Sequence, residues 1–284
     1  MRILILGKNG MLGRDLQTVF HREDFLALDR SELDITNEQD VFEKLMTFQP
    51  DLVINAAGYT DVEKAEQEEE EANKANGYGV GILARGCREI DATLVHFSTD
   101  YVFRGDDRNG YTEEAKTNPI NIYGQSKALG EILLIEEMEL EDDRVGEREG
   151  KYFIIRTSWL FGNRGENFVS TILEKAKRGK TFKIVNDQFG EPTYTSDLAQ
   201  QVKWLVESRE YPSGIYHITN SGVTNWYEFA CEILKTHQLE TLVEPCESAE
   251  YKTVAQRPKK AILLNTKLPE LRSWKEALQE YLNS

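Results

Sequence analysis

The sequence predicts an α/β protein: a Rossmann-like doubly wound parallel sheet with a smaller, discontinuous C-terminal substrate domain. Three observations carry this. The opening apolar run MRILIL leads straight into Gly7-Lys-Asn-Gly10-Met-Leu-Gly13 and then into residues with helical spacing, Leu12, Leu16, Val19 and Phe20. Strand, glycine turn and helix in that order are the context a dinucleotide fingerprint requires. Strand-like and helix-like stretches then alternate at short intervals, which means a parallel sheet covered on both faces. Finally, the composition changes from Asn220 onward. The expected division is residues 1–157 and 193–219 for the nucleotide-binding domain, and 158–192 and 220–284 for the second.

In order along the chain, Gly7 supplies the tight turn, Gly10 lets the backbone approach a pyrophosphate, and Gly13 lets the helix pack closely on the sheet. The second strand is expected at 25–28. Asp29 and Arg30 follow it, where a first βαβ unit meets the adenosine ribose. Asp29 favours a free 2′-hydroxyl and Arg30 a 2′-phosphate, so both NADPH and NADH stay open. Asp34 and Ile35 are expected beside adenine, ahead of a helix running to Phe48. The strand 51–55 ends in Asn55-Ala56-Ala57-Gly58-Tyr59-Thr60, small residues that suit either a flat nucleotide or the next helix. The acidic stretch 63–71 reads as a solvated face with some ligand-loop role. A long helix then runs to Ile90, in which Asn76 has two readings: a contact to a backbone or cofactor group, or a plain surface asparagine.

The apolar strand 93–97 ends in Ser98-Thr99-Asp100, and Tyr123-Gly-Gln-Ser-Lys127 opens a helix after Pro119. The i, i+4 spacing puts Tyr123 and Lys127 on one face, roughly 6 Å apart. A neighbouring ammonium favours the phenolate, and the Thr99 hydroxyl is placed to hold a carbonyl oxygen. These are the parts needed to reduce a ketone. Residues 141–150 read as an exposed charged connection. The strand 152–156 leads into Thr157-Ser-Trp159. A helix at 168–177 and a strand at 182–184 precede the polar loop 186–192, which has the composition of a ligand lid. Thr195, Ser196 and Asp197 are expected to cap a helix at 198–207. A strand at 214–218, a helix at 226–234 capped by Thr224 or Asn225, and a helix at 274–282 complete the chain.

The chain has 34 basic and 49 acidic residues, a net charge of −15 and a pI near 4.9. That balance argues against nucleic acid or an anionic membrane as partner. Cys87, Cys231 and Cys246 are too widely spaced for a zinc site and suggest a reducing compartment. The first strand begins at Met1 and no apolar run is long enough to cross a bilayer, so the cytoplasm is expected.

Taken together, these motifs resemble the extended short-chain dehydrogenases/reductases that modify sugar nucleotides. The resemblance rests on Gly7-x-x-Gly10-x-x-Gly13, on Asn55-Ala-Ala-x-Tyr59-Thr60-x-Val62-x-Lys64-Ala65-Glu66, on Ser98-Thr99-Asp100-Tyr101-Val102-Phe103, and on Tyr123 with Lys127. Arg156-Thr157-Ser158-Trp159, Asp187-Gln188-Phe189-Gly190-x-Pro192-Thr193 and Arg257-Pro258 extend it towards the C-terminus. It runs from end to end. It implies reduction by NADPH, or NADH, of the C4 ketone of a dTDP-linked 4-keto-6-deoxy sugar. Tyr123 would be the proton donor, Lys127 would lower its pKa and contact the nicotinamide ribose, and Thr99 would orient the ketone oxygen. Cofactor contacts are implied for Gly7, Asn9, Gly10, Met11, Leu12, Gly13, Arg30, Asp34, Ile35, Ala56, Ala57, Tyr59, Asn76, Tyr123 and Lys127. Substrate contacts are implied for Asp100, Val102, Phe103, Tyr123, Trp159, Phe189 and Arg257. No metal is assigned, and a homodimer is compatible. The same scaffold also serves epimerases and dehydratases, the latter with an acidic residue such as Asp100 beside the hydroxyl. A non-catalytic, cofactor-binding subunit is a further alternative.

Overall fold

The computed structural model describes residues 1–140, 150–179 and 181–283; the expected 141–150 connection lies, but for Gly150, outside them. The opening apolar run becomes β1 (Arg2–Leu6), fully buried from Ile3 onward. After the glycine turn come α1 (Met11–Val19), β2 (Asp24–Leu28), α2 (Glu38–Phe48) and β3 (Leu52–Asn55). Two short helices, α3 (Val62–Ala65) and α4 (Glu69–Asn73), and a π-helical turn, Lys74–Tyr78, lead into α5 (Gly79–Glu89). β4 (Thr93–Thr99), α6 (Ile122–Met138) and β5 (Tyr152–Thr157) follow, and Gly214–His217 is the last strand of the main sheet.

All six strands pair in parallel, with β2 at one edge, then β1, β3, β4, β5 and Gly214–His217. Sequential strands run outward in opposite directions from the β1–β3 junction, the switch point where doubly wound sheets leave a crevice at their carboxyl ends. Parallel strands buried on both faces need apolar side chains throughout, and the sheet has one core on each side. Leu4, Leu6, Val53, Leu83, Leu94 and Ile154 belong to one, and Ile3, Ile5, Leu16, Ile54, Phe153 and Val202 to the other. A third core joins helix Phe168–Lys177, helix Trp226–Thr236 and the final helix Trp274–Asn283 around Phe161, Phe229 and Trp274. No described helix is long and apolar enough to cross a membrane.

Several local expectations change. The acidic stretch after Thr60 is helical, and three of its carboxylates are used structurally. Glu66 accepts from the Ile122 amide at 2.9 Å, Glu68 accepts from the Tyr59 phenol at 2.6 Å, and Glu63 pairs with Arg257. Thr195, Ser196 and Asp197 do not cap their helix, because Thr195–Ser208 already begins at Thr195 with Tyr194 as the flanking residue. Their polar atoms go elsewhere: Thr195 to the Phe161 carbonyl, and Asp197 to Arg272 and Asn220. Of the two caps proposed for the 226 helix, Asn225 is the one that accepts from the Glu228 amide, at 2.8 Å. The 186–192 loop is no free lid. Phe189–Gly190 pairs antiparallel with Thr224–Asn225, the Phe189 amide donates to the Lys259 carbonyl at 2.7 Å, and Gln188 and Glu191 are buried.

Candidate active site

The carboxyl ends of β1, β3 and β4 open onto two adjoining cavities of about 510 Å³ each, which share Asn9, Gly10 and the stretch from Ala56 to Thr60. The glycine turn sets their floor. Gly7 has φ +84°, the left-handed region that favours glycine, and its amide donates to the Leu28 carbonyl at 2.9 Å. A Cβ on Gly13 would lie 2.1 Å from the Gly7 carbonyl oxygen, so only glycine lets α1 sit this close to the turn. The first cavity takes Gly7, Asn9, Gly10, Arg30, Asp34, Ile35, Ala56, Ala57 and Tyr59 from the expected set. The second brings in Met11, Leu12, Gly13, Asn76, Thr99, Asp100, Tyr123, Lys127 and Trp159.

At the outer end, Asp29 is held by Asn9 at 2.7 Å and by Ser31, while Arg30 pairs with Asp34 at 3.1 Å. The Arg30 side chain is 72% exposed, so this pair is weak and its guanidinium is free to turn. Asn76 settles on the first of its two readings. It is buried and clamps the Tyr59 backbone at both ends, accepting from the amide at 2.8 Å and donating to the carbonyl at 2.9 Å, with a further bond to Ser126.

At the inner end, Asn121 caps α6 and so fixes where Tyr123 and Lys127 leave the helix. The Thr99 hydroxyl donates to Asp100 at 2.9 Å and accepts from the Tyr101 amide at 3.2 Å, and it lines the same cavity as the Tyr123 phenol. Because its hydrogen is directed at Asp100, it reaches a ketone oxygen only by turning from that carboxylate. Burial raises the Asp100 pKa to about 7.

The expected electrostatics of the pair do not hold in this structure. Burial and the nearby Asp100 push the Tyr123 phenol up from its ordinary value, against a smaller lowering effect of the neighbouring Thr99 hydroxyl. Lys127 does not offset this, because its nitrogen is turned to the Phe97 carbonyl at 2.5 Å and to His96 at 3.5 Å. The buried lysine itself falls to about 8, with Glu131 pulling the other way. Tyr123 is therefore a neutral phenol across the physiological range, the form a proton donor needs.

Four expected substrate residues do not line the cavity of Tyr123 and Thr99. Val102 and Phe103 are fully buried with Ala128 and Leu263, because the 3-10 turn after Thr99 rolls them inward, and they line no described cavity. Phe189 projects outward from its short strand, 38% exposed, and also lines none. Arg257 lines a third cavity, of about 290 Å³, with Phe168, Trp226 and Gln188. There it binds Glu63 at 2.8 Å, and its buried Nε has no partner. The Trp159 ring is already stacked on Trp226, centroids 3.5 Å apart, and a Cβ on Gly190 would collide with it. Arg156, which opens the Arg156-Thr157-Ser158-Trp159 motif, is fully buried in a bidentate pair with Glu131 at 2.9 and 2.7 Å, and Glu131 also accepts from Ser98.

Reading the sequence missed three groups. Glu191 is buried and raised to about 8 by that burial and by the charge of Asp100. Trp226 shows in the sequence only as the start of a helix. His96 lies beneath Lys127 in a strand that looked purely apolar. Only Glu191 had a signal, being a lone carboxylate between Gly190 and Pro192.

Comparison with known proteins agrees with this architecture. The family described as RmlD substrate binding domain matches residues 1–284. A dTDP-4-dehydrorhamnose reductase of Aggregatibacter actinomycetemcomitans is 38% identical, over 98% of this chain and 97% of that protein. The spore coat polysaccharide biosynthesis protein SpsK of Bacillus subtilis (strain 168) is 37% identical, over 99% and 96%. The crystal structure of dTDP-4-dehydrorhamnose reductase from Bacillus anthracis str. Ames in complex with NADP superposes with a TM-score of 0.91 at 36% identity, covering 99% of this chain and 98% of that one. The chain belongs to the RmlD substrate binding domain family.

Proposed function

We propose that this protein is an NAD(P)H-dependent reductase that converts the C4 ketone of dTDP-6-deoxy-L-lyxo-4-hexulose to the alcohol, giving dTDP-L-rhamnose. The observation that carries this is a neutral, half-buried Tyr123 phenol that shares with Thr99 and Lys127 a cleft continuous with the glycine turn. The cleft fits a nicotinamide dinucleotide. The Gly7–Gly13 approach seats the start of α1 against the turn. A Cβ on Gly10 would meet only the Gly7 carbonyl oxygen, so the cleft beside it is open to a pyrophosphate, and Arg30 and Asp34 sit where an adenosine ribose would end. The cofactor, when bound, supplies the hydride to C4.

The chain's own residues do the rest. Tyr123 gives its phenolic proton to the oxygen formed from the ketone, and Thr99, turned from Asp100, donates to that oxygen beforehand. Lys127, still bonded to the Phe97 carbonyl, turns its other hydrogens to a ribose hydroxyl and to the phenol, whose pKa its charge lowers. Trp159, backed by Trp226, walls the sugar. The nucleoside diphosphate lies in the cavity of Phe168, Trp226 and Arg257, where the buried Arg257 Nε is an unspent donor. On this reading the chain divides as two domains: residues 1–157 with 193–219 hold cofactor, and 158–192 with 220–284 hold the sugar nucleotide. The three free cysteines suit a reducing cytoplasm.

Incubating the purified chain with NADPH and the 4-keto sugar nucleotide tests the reading. Stoichiometric NADPH loss with formation of the 6-deoxy alcohol supports it. Cofactor binding without turnover would favour a non-catalytic subunit, and dehydration or epimerisation of the sugar would move the chain to another reaction class.

A further inference from the structure

Beneath the catalytic pair lies a buried polar chain that the reaction just described does not use. Asn55, at the end of β3, and His96, in β4, are partners in the parallel ladder, and both are buried. The orientation of the Asn55 amide is fixed, because its Oδ1 accepts from the Ala57 amide at 3.1 Å. Its NH2 group is therefore the one that lies 3.1 Å from His96 Nδ1. An amide NH2 only donates, so Nδ1 accepts. Burial and the adjacent Lys127 hold the imidazole well below its usual pKa, so the ring is neutral and carries its one hydrogen on Nε2. That nitrogen is the one 3.5 Å from Lys127 Nζ.

We propose that Asn55 and His96 are positioning residues for Lys127: by presenting an N–H instead of a lone pair, His96 withholds a second protein acceptor from the ammonium. An ammonium has three hydrogens to donate. One goes to the Phe97 carbonyl. A histidine lone pair would take a second and tie the side chain to β4. An N–H edge takes none, so two hydrogens stay available for the nicotinamide ribose and the phenol. The same edge disfavours the charged lysine in a site where burial already does so. The charged and titratable groups around Lys127 are His96 from β4, Tyr123 and Glu131 from its own helix, and Arg156 from β5, which takes both Glu131 oxygens. The inference rests on the reading of Lys127 as a ribose ligand given above.

The test begins on the native full-length chain, free of substrate, with 15N-labelled histidine; there are four histidines, and His96→Phe assigns the signal. The expected result is a neutral ring protonated on Nε2 at neutral and alkaline pH, above its depressed pKa. Asn55→Asp replaces the donor by an acceptor of nearly the same shape and should move the hydrogen to Nδ1. With Nε2 then an acceptor, the lysine gains a bond in the free protein. Its titration, followed by 13C NMR of the Lys127 ε-carbon, should move to higher pH. The dissociation constant for NADPH should rise about tenfold, while that for dTDP stays unchanged. A native ring protonated on Nδ1, or found as imidazolium, overturns the proposal without any variant. So does an Asn55→Asp protein with the moved hydrogen and unchanged lysine titration and NADPH binding. None of these measurements needs turnover, so failure of the reductase reading in the activity assay remains distinguishable from failure of this one.

Discussion

The cleft at the ends of β1 and β3 and the cavity around Trp226 and Arg257 are built from opposite materials. The first combines the glycine turn and the Ala56–Gly58 stretch with polar side chains such as Asp29, Arg30 and Asp34, all from residues 6–75, and its floor follows from how closely α1 approaches the turn. The second is lined by aromatic rings and long side chains drawn from helix Phe168–Lys177, strand Phe182–Val185, helix Trp226–Thr236 and the segment around Arg257. Its key charge, Arg257, is held by Glu63, 194 residues earlier. The difference teaches that a backbone-built site is specified locally and tolerates little change. A side-chain-built site is specified by packing and is free to change its ligand. The proposed division of labour follows: an invariant cofactor on one side, a selectable sugar nucleotide on the other.

The sharpest way to break this comparison lies where the two sides meet. Tyr123→Phe keeps the ring and its edge contact with Tyr101 but removes the proton, so kcat should fall about 10²–10⁴-fold with binding of both ligands unchanged. Steady-state assays across pH check this; turnover near the wild-type rate would remove Tyr123 from the chemistry.

Next in size is Arg257→Ala. As a phosphate ligand its loss should weaken dTDP binding by roughly 1.5–3 kcal/mol and leave NADPH binding unchanged. Separate titrations of the two ligands decide it. Loss of both would mean that the Glu63 bond holds the two halves together, and loss of neither would leave Arg257 a structural residue.

A third prediction uses pH. Asp100 and Glu191 are buried with pKa values raised to about 7 and about 8. A carboxyl whose folded pKa lies above its unfolded value holds extra protons in the native state. Its contribution is fully present below about pH 4 and is lost as pH rises through the folded pKa. Glu191→Gln keeps an acceptor for the Leu263 amide, 2.9 Å away, and cannot ionise. The melting temperature of the variant should gain on that of the wild type between about pH 5 and 8, and the gap should then level off. A constant gap at all pH values would mean that Glu191 is already charged in the folded protein.

The smallest expected effect is at the exposed rim. Arg30→Ala should raise the Michaelis constant for NADPH by about three- to tenfold, as for one exposed charge-assisted contact, and change that for NADH little. Equal changes for the two cofactors would mean that Arg30 does not meet a 2′-phosphate.

Much of this protein is determined by sequence alone. Buried parallel strands need unbroken apolar runs, and the glycine spacing after β1 leaves few alternatives to a tight turn under a helix. The i, i+4 spacing of Tyr123 and Lys127 likewise places them together whatever the rest of the chain does. What only the tertiary structure decided are contacts between segments far apart in the chain. Spacing within one helix put Lys127 near Tyr123, but the Phe97 carbonyl, from β4, turned its nitrogen away. Val102 and Phe103 stand in a motif beside the Thr99 hydroxyl, yet the turn that follows Thr99 rolls them into the core. Arg156 lies on a strand that ends at the site, but the partner it needs is Glu131, one helix away. In each case the local pattern names the residue, and the direction of its side chain is set by a charge, a carbonyl or a ring supplied from elsewhere. Such a partner has no fixed spacing in the sequence, so no periodicity or motif reveals it.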